Sequence, residues 1–174
     1  MDIQKLKFPI GEFSPLESYT TEQLNSYIND IEILPSQLRN EVEGLSEEQL
    51  ETTYRPDGWT IRQVVHHIPD SHMNAFIRFK LTLTEDNPTI KPYFEDRWAN
   101  LSDAKMAPEI SLNLVEGVHR RWVNILRNMS MVDFERKYTH PEYKKVFTLK
   151  EAVHMYSWHG KHHLSHIKLA KNPI

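Results

Sequence analysis

The chain contains no cysteine. That excludes disulfides, cysteine nucleophiles and thiolate ligands, so any bound metal must rest on His, Asp, Glu or water. Glycine is scarce, at five in 174 residues, and its sparse placement suits helices joined by short connections. No charge of one sign dominates: 21 Lys and Arg stand against 24 Asp and Glu, a net charge of −3 with neutral histidines. Without a basic stripe there is no footprint for nucleic acid. No apolar run approaches the ~20 residues that cross a bilayer. The opening MDIQKLKFPIGEF lacks the apolar run of a signal peptide. These absences predict a soluble, cytoplasmic protein with no membrane partner. No repeat or low-complexity segment interrupts the chain, and its length predicts one domain, 1–174.

Helix signals are plentiful. The capping box S/T-x-x-E/Q satisfies two orphan backbone donors reciprocally. It occurs at Thr20–Gln23, Ser46–Gln49, Thr60–Gln63 and Thr148–Glu151. Apolar periodicity then predicts four long helices. The first runs from Thr21 to Glu43, with Leu24, Ile28, Ile31, Leu34, Leu38 and Val42 inward and a bend at Pro35. The second runs from Ile61 to Thr84. The third runs from Leu112 to Met129, with Leu114, Val115, Val118, Trp122, Ile125 and Leu126 as its stripe. The fourth runs from Leu149 to Lys171. Short helices follow the first and third, near Ser46–Leu50 and Met131–Phe134. Arg136–Phe147 reads as extended, with a turn at His140-Pro141. The proline-rich stretch Glu85–Pro108 is the one long connection. Together these predict an all-α four-helix bundle with a long connection between helices 2 and 3.

What the chain has in quantity is histidine: ten, four of them in WHGKHHLSH, residues 158–166. On a helix, i and i+4 share a face. With His159 at zero, His163 lies at ~40°, within an inward arc that also holds Ala152, Tyr156, Val153 and Ile167. His162 and His166 fall at ~300° and ~340°, outside it, and His154 at ~220° faces water. Two imidazoles at i, i+4 can chelate one ion. The H-E-x-x-H glutamate is missing, and two half-buried histidines bonded to backbone or water is the competing reading. A third ligand must come from elsewhere. The second helix offers His66, His67 and His72. Periodicity favours His72, puts His67 ~60° beyond the arc and turns His66 nearly opposite. Pro69 makes angles across this helix unreliable.

At these residues the chain resembles the DinB-like superfamily, and within it the YfiT group, whose members are described as metal-dependent hydrolases. The resemblance rests on FPIGEFSP, YRPDGWTIRQVVHHIPDSHMNAFIRFKLTLTE, YTHPEYKK and WHGKHHLSHI, in that order over nearly the whole chain. It implies a four-helix bundle holding one divalent metal per chain, zinc or nickel, on three histidines. Its first ligand matches His67 in His67-Ile68-Pro69-Asp70; the other two match His159 and His163. Pro69 stands where family members commonly carry a helix-compatible residue. His72 stays in reserve as third ligand. The resemblance also implies a cytoplasmic homodimer.

Three protein ligands leave a position open, as catalytic sites do. A water there drops to a pKa near ~7 and can attack a small-molecule electrophile, which is hydrolysis. The same position can favour the thiolate of a low-molecular-weight thiol, bacillithiol or another, which is S-transfer. A non-catalytic metal-binding stress protein is the third reading. Asp70, one turn from His67, is a candidate base or histidine partner, or a solvated aspartate. Tyr156 is a candidate ligand contact, or core. Arg62, Arg78 and Lys80 can meet an anionic substrate, against the default of solvated helix charges. Trp59 reads as an anchor for the second helix. The Tyr93–Trp98 loop reads as a roof over the site or a dimer contact.

Overall fold

The computed structural model describes residues 3–172. The expected domain of 1–174 extends two residues beyond that range at each end. Its elements in order are α1 (Ile3–Lys7), α2 (Thr21–Val42), α3 (Glu47–Leu50), α4 (Ile61–Thr84), α5 (Glu95–Trp98), a 3-10 turn (Ser102–Lys105), α6 (Pro108–Arg127), α7 (Met131–Phe134), β1 (Lys137–His140), β2 (Lys145–Thr148) and α8 (Leu149–Lys171).

The capping signals act where the sequence puts them. Thr20, Ser46 and Thr60 each form a full capping box with the glutamine three residues on. Thr148 accepts from the Glu151 amide, but the Glu151 carboxylate turns to Lys145 Nζ at 2.6 Å and does not close a box. The third long helix starts earlier than expected, at Pro108, because proline at the first turn forfeits only an amide that has no partner there. Its buried stripe is Leu112, Val115, His119, Trp122 and Leu126; Leu114 is exposed, contrary to expectation. α2 and α4 run on through Pro35 and Pro69.

α2, α4, α6 and α8 form the bundle, with α2 against α8 and α6, and α4 against α6 and α8. Ion pairs and hydrogen bonds give the directions. Asp30 meets Ser157 and Lys161, and Glu41 meets Lys168 and Lys171, so α2 and α8 are parallel. Arg39 meets Glu109 while Glu32 meets Arg127, so α2 and α6 are antiparallel. His66 meets Ser111 and His72 meets His119, so α4 and α6 are parallel. Parallel neighbours need a connection that travels the bundle's length. The proline-rich stretch between α4 and α6 is that crossover. It is pinned midway, where Ile90 N–H donates to Thr139 O and Thr139 N–H to Pro88 O, joining it to the β1–β2 hairpin.

The core is in two parts. One cluster holds Leu24, Ile28, Ile31, Phe79, Trp122 and Val153. The other holds Leu34, Leu38, Val65, Ile68, Val115 and Ile167. Between Ile31 and Leu34, Ile68 and Ala75, Val115 and Trp122, and Tyr156 and Leu164, each helix crosses the same level. At that level lie His72, His119, His159, His162 and His163, with His67 one residue before Ile68.

Candidate metal centre

His67 from α4 meets His159 and His163 from α8. One ring nitrogen of each lies within 4.8 Å of the others. His67 Nε2 and His159 Nε2 are 3.3 Å apart. Burial disfavours the charged imidazolium: His67 falls to a pKa of about 4, and His159 and His163 well below the usual histidine value. All three are therefore neutral at neutral pH and carry a free lone pair, the form that ligates metal. The donor set fits a divalent ion. Two nitrogens each ~2.05 Å from one tetrahedral ion stand about 3.3 Å apart, the separation between these two Nε2 atoms.

Hydrogen bonds decide which nitrogen each ring presents. Pro35 has no N–H, so the Ile31 carbonyl one turn back lacks its helical donor. His119 Nδ1 donates to that carbonyl at 2.6 Å. A carbonyl only accepts, so neutral His119 keeps its lone pair on Nε2. That nitrogen accepts from His72 Nδ1 at 2.8 Å, and His72 Nε2 accepts from His159 Nδ1 at 3.0 Å. The series ends with the His159 lone pair on Nε2, facing His67. A second series runs along α8. His166 Nε2 donates to Lys7 O at 3.1 Å, leaving His166 Nδ1 to accept from His163 Nδ1 at 3.4 Å. His163 also keeps its lone pair on Nε2.

His72 is thus fully buried with both nitrogens engaged in the series to His119. Among the described residues it joins neither group of atoms close enough to share an ion. His119 went unremarked in the sequence, although its spacing from Leu112, Val115, Trp122 and Leu126 places it on the apolar stripe of α6.

The helical wheel is corrected at three places. His162 and His166, outside the inward arc and expected either in solvent or supporting the ligands, are buried, and His166 supports His163. Tyr54 stacks on His166 at 3.8 Å, and Phe8 and Trp158 pack on His162. His154 is half-buried and stacks on Tyr27 at 4.4 Å. His66 is buried between Ser111 Oγ and Met106 O. In each case a segment outside the four helices supplies cover, or α4 touches two neighbours at once. A periodic arc does not record either. His162, His163 and His166 form a second group able to share an ion. Of the two groups, His67, His159 and His163 bring in two helices, and His159 also reaches a pocket.

That pocket, about 340 Å³, lies under the crossover and the hairpin. Ser71, Arg78, Tyr93, Tyr138, Tyr156 and His159 are on its wall. Tyr93 therefore serves as part of the roof, and Trp98 packs on it at 4.5 Å. Trp59 does more than anchor α4: its ring lies 4.7 Å from His67 and stacks toward His163 at 6.4 Å. Tyr156 is buried and its Oη accepts from Arg78 Nη1 at 3.2 Å. Asp70 is half-buried, and burial raises its carboxyl to a pKa of about 6. Among the described residues, no hydrogen bond joins that carboxylate to a histidine. Lys80 is exposed beside the Phe76 ring.

A four-helix bundle with neutral histidines gathered at mid-height beside a pocket defines a class: bundle proteins built around a candidate metal centre. Within that class, the chain belongs to the DinB superfamily, whose model matches residues 30–167. A protein of Oceanobacillus iheyensis named "Putative metal-dependent hydrolase" is 52% identical over 161 residues, covering 92% of this chain and 93% of that one. A Bacillus cereus protein of the same name is 48% identical over 162 residues, covering 93% of each. YfiT from Bacillus subtilis, described as "a probable metal-dependent hydrolase with an unusual four-helix bundle topology", superposes with a TM-score of 0.92 at 47% identity over 94% of each chain. A mycothiol-dependent maleylpyruvate isomerase matches at a TM-score of 0.66 and 14% identity, over 83% of this chain and 60% of that one, which shows a shared fold alone.

Proposed function

We propose that this protein is a metal-dependent hydrolase whose ion, zinc or nickel at one per chain, is held by His67, His159 and His163. The observation that carries the reading is the 3.3 Å separation of two Nε2 atoms inside a neutral three-histidine cluster that borders a pocket. An ion on three imidazoles supplies Lewis acidity and acidifies a coordinated water.

The chain's own residues do the rest. Arg78 donates to Tyr156 Oη, so the Tyr156 O–H remains to donate into the pocket toward a substrate oxygen. Ser71 Oγ, 3.4 Å from His159 Nε2, offers a second donor at the inner end. Asp70, beside Ser71 in sequence and raised to a pKa of about 6, is suited to take up and return a proton near neutral pH. Trp59 packs against His67 and limits water at the cluster.

Metal analysis of untagged protein tests the assignment. Wild type is expected to carry about one ion per chain, and both His163→Ala and His159→Ala to carry none; unchanged metal content in His159→Ala, whose residue belongs to the first group alone, removes this site. Turnover of an ester or amide series is then measured with and without an added low-molecular-weight thiol. Activity that needs the thiol replaces hydrolysis with S-transfer. Bound metal with no turnover in either arm points to a metal-binding stress protein. A homodimer belongs to the same proposal, and light scattering measures it.

A further inference from the structure

Arg78 is a buried cation that the bundle does not neutralise. It is 9% exposed. It stands eleven residues after His67, which brings it back to within ~20° of the same helix face. Helical side chains lean toward the N-terminus, so Arg78 leans back toward Ser71 and the histidines. Among the described residues, no carboxylate forms an ion pair with it. Its Nη1 donates to Tyr156 Oη at 3.2 Å, and its Nη2 reaches Lys91 O only at 3.5 Å. Its Nε is buried with no partner. A guanidinium carries five N–H donors, so most of this one's capacity is unused.

Arg62, on the same helix, shows what a structural arginine looks like here. It is also buried, at 6% exposed. Its Nε donates to Glu51 at 2.6 Å, its Nη2 to Glu47 and its Nη1 to Met106 O at 3.1 Å. Burying a charge is costly unless a partner compensates it. Arg62 has its partners within the fold. Arg78 has no carboxylate in ion-pair contact, only Glu95 near enough on the same wall to feel its charge, and it lines the 340 Å³ pocket that also reaches His159. A second donor there, Tyr93 Oη, is likewise buried and makes no hydrogen bond within 3.5 Å, with Ser71 as a looser neighbour. Tyr138 and Phe147 give the same pocket aromatic walls.

We propose that Arg78 is a carboxylate-binding residue, and that the pocket takes a small organic acid with an apolar or aromatic body. A planar guanidinium matches a carboxylate in two parallel hydrogen bonds, and Tyr93 Oη supplies a further donor. Glu95 and Glu142 share the pocket wall, so the substrate is a monoanion: a second negative group would meet them. The carboxylate end is held at Arg78 and the reacting group turns toward His159. The position of the reacting group rests on the proposed metal centre; the arginine subsite does not.

The test is calorimetric titration of the full-length protein with 3-phenylpropanoate and with its uncharged amide, 3-phenylpropanamide. The acid is expected to bind at least about tenfold more tightly than the amide. Arg78→Met should erase that preference, and Arg78→Lys should keep part of it. Equal affinity for acid and amide in wild type overturns the proposal. So does a preference that survives Arg78→Met, because the acid would then sit on the metal or elsewhere. If Arg78→Met fails to fold by circular dichroism, the wild-type comparison and Arg78→Lys decide, with an undiminished preference in Arg78→Lys counting against the proposal. Metal content is measured on the same samples. Absent metal removes the hydrolase reading while leaving the acid-to-amide ratio as a report on Arg78 alone.

Discussion

A proline and a histidine on different helices set the tautomer of a third residue. Pro35 leaves the Ile31 carbonyl open, and His119 fills it. From there each neutral ring has one donor and one acceptor, so the orientation passes through His72 to His159 without ambiguity. Partners of this kind usually change metal affinity about 10–100-fold. His119→Ala is expected to weaken metal binding by that range, measured by chelator competition. Pro35→Ala restores an N–H that competes for Ile31 O. It should weaken metal binding in the same direction while leaving the melting temperature unchanged or higher. A Pro35→Ala variant with wild-type affinity would show that the carbonyl anchor does not matter. The sequence shows His119 plainly on the α6 stripe. What it cannot show is that Pro35 lies across from it, because that depends on how α2 and α6 pack.

α8 carries two ligand candidates and packs closely on α2 at Gly160. Gly160, next to His159, faces α2, where a Cβ would come 2.7 Å from Leu34 Cδ2. Alanine is the better helix former by up to about 1 kcal/mol. Leu34 is 2% exposed and packed, so it has little room to yield. Overpacking of a filled core costs about 1–3 kcal/mol. Gly160→Ala is therefore expected to lose about 1 kcal/mol net, read as a lower denaturation midpoint, with weaker metal binding as α8 shifts from α2. A rise in the midpoint would refute the close packing of these helices. The i, i+4 pair on α8 was legible because both residues ride on one rigid element, whose period fixes their relation. His67 was not, because α4 is buried on nearly every face. Arg62, His66, His67, Ser71 and Arg78 all lie inside, so an arc drawn from apolar residues alone is too narrow.

Across the whole molecule, a polar layer divides the two halves of the core, and it makes stability depend on pH. Burial lowers His67, His119 and His162 to about 4 and His166 to about 3. In the unfolded chain these rings titrate near 6.5. Between those values the unfolded state binds more protons than the folded one, so unfolding free energy rises with pH. The layer's stability is thus intact above about 6.5 and is lost as pH falls through 4. Chemical denaturation of metal-free protein across pH 7.5 to 4 should show that decline, beginning near ~6.5. A flat profile down to pH 5 would mean the histidines are already protonated or exposed. Bound metal should raise the curve above pH 6.5 and add less as protons compete for the same lone pairs. Among the described residues, no helix is long and apolar enough to cross a membrane.

The sequence by itself determined the four helices, the side-chain caps of three of them, the long crossover and the shared helix face of His159 and His163. These are local: spacing along one helix and bonding within one turn settle them. The tertiary structure decided which histidines are buried, that His72 orients His159, and that Arg62 has carboxylate partners while Arg78 forms no ion pair among the described residues. Those outcomes depend on which segments cover each helix face: residues 7–13 over α8, the crossover over α4, the hairpin over the pocket. Periodicity describes one helix at a time, whereas burial and charge pairing are properties of the surfaces it meets.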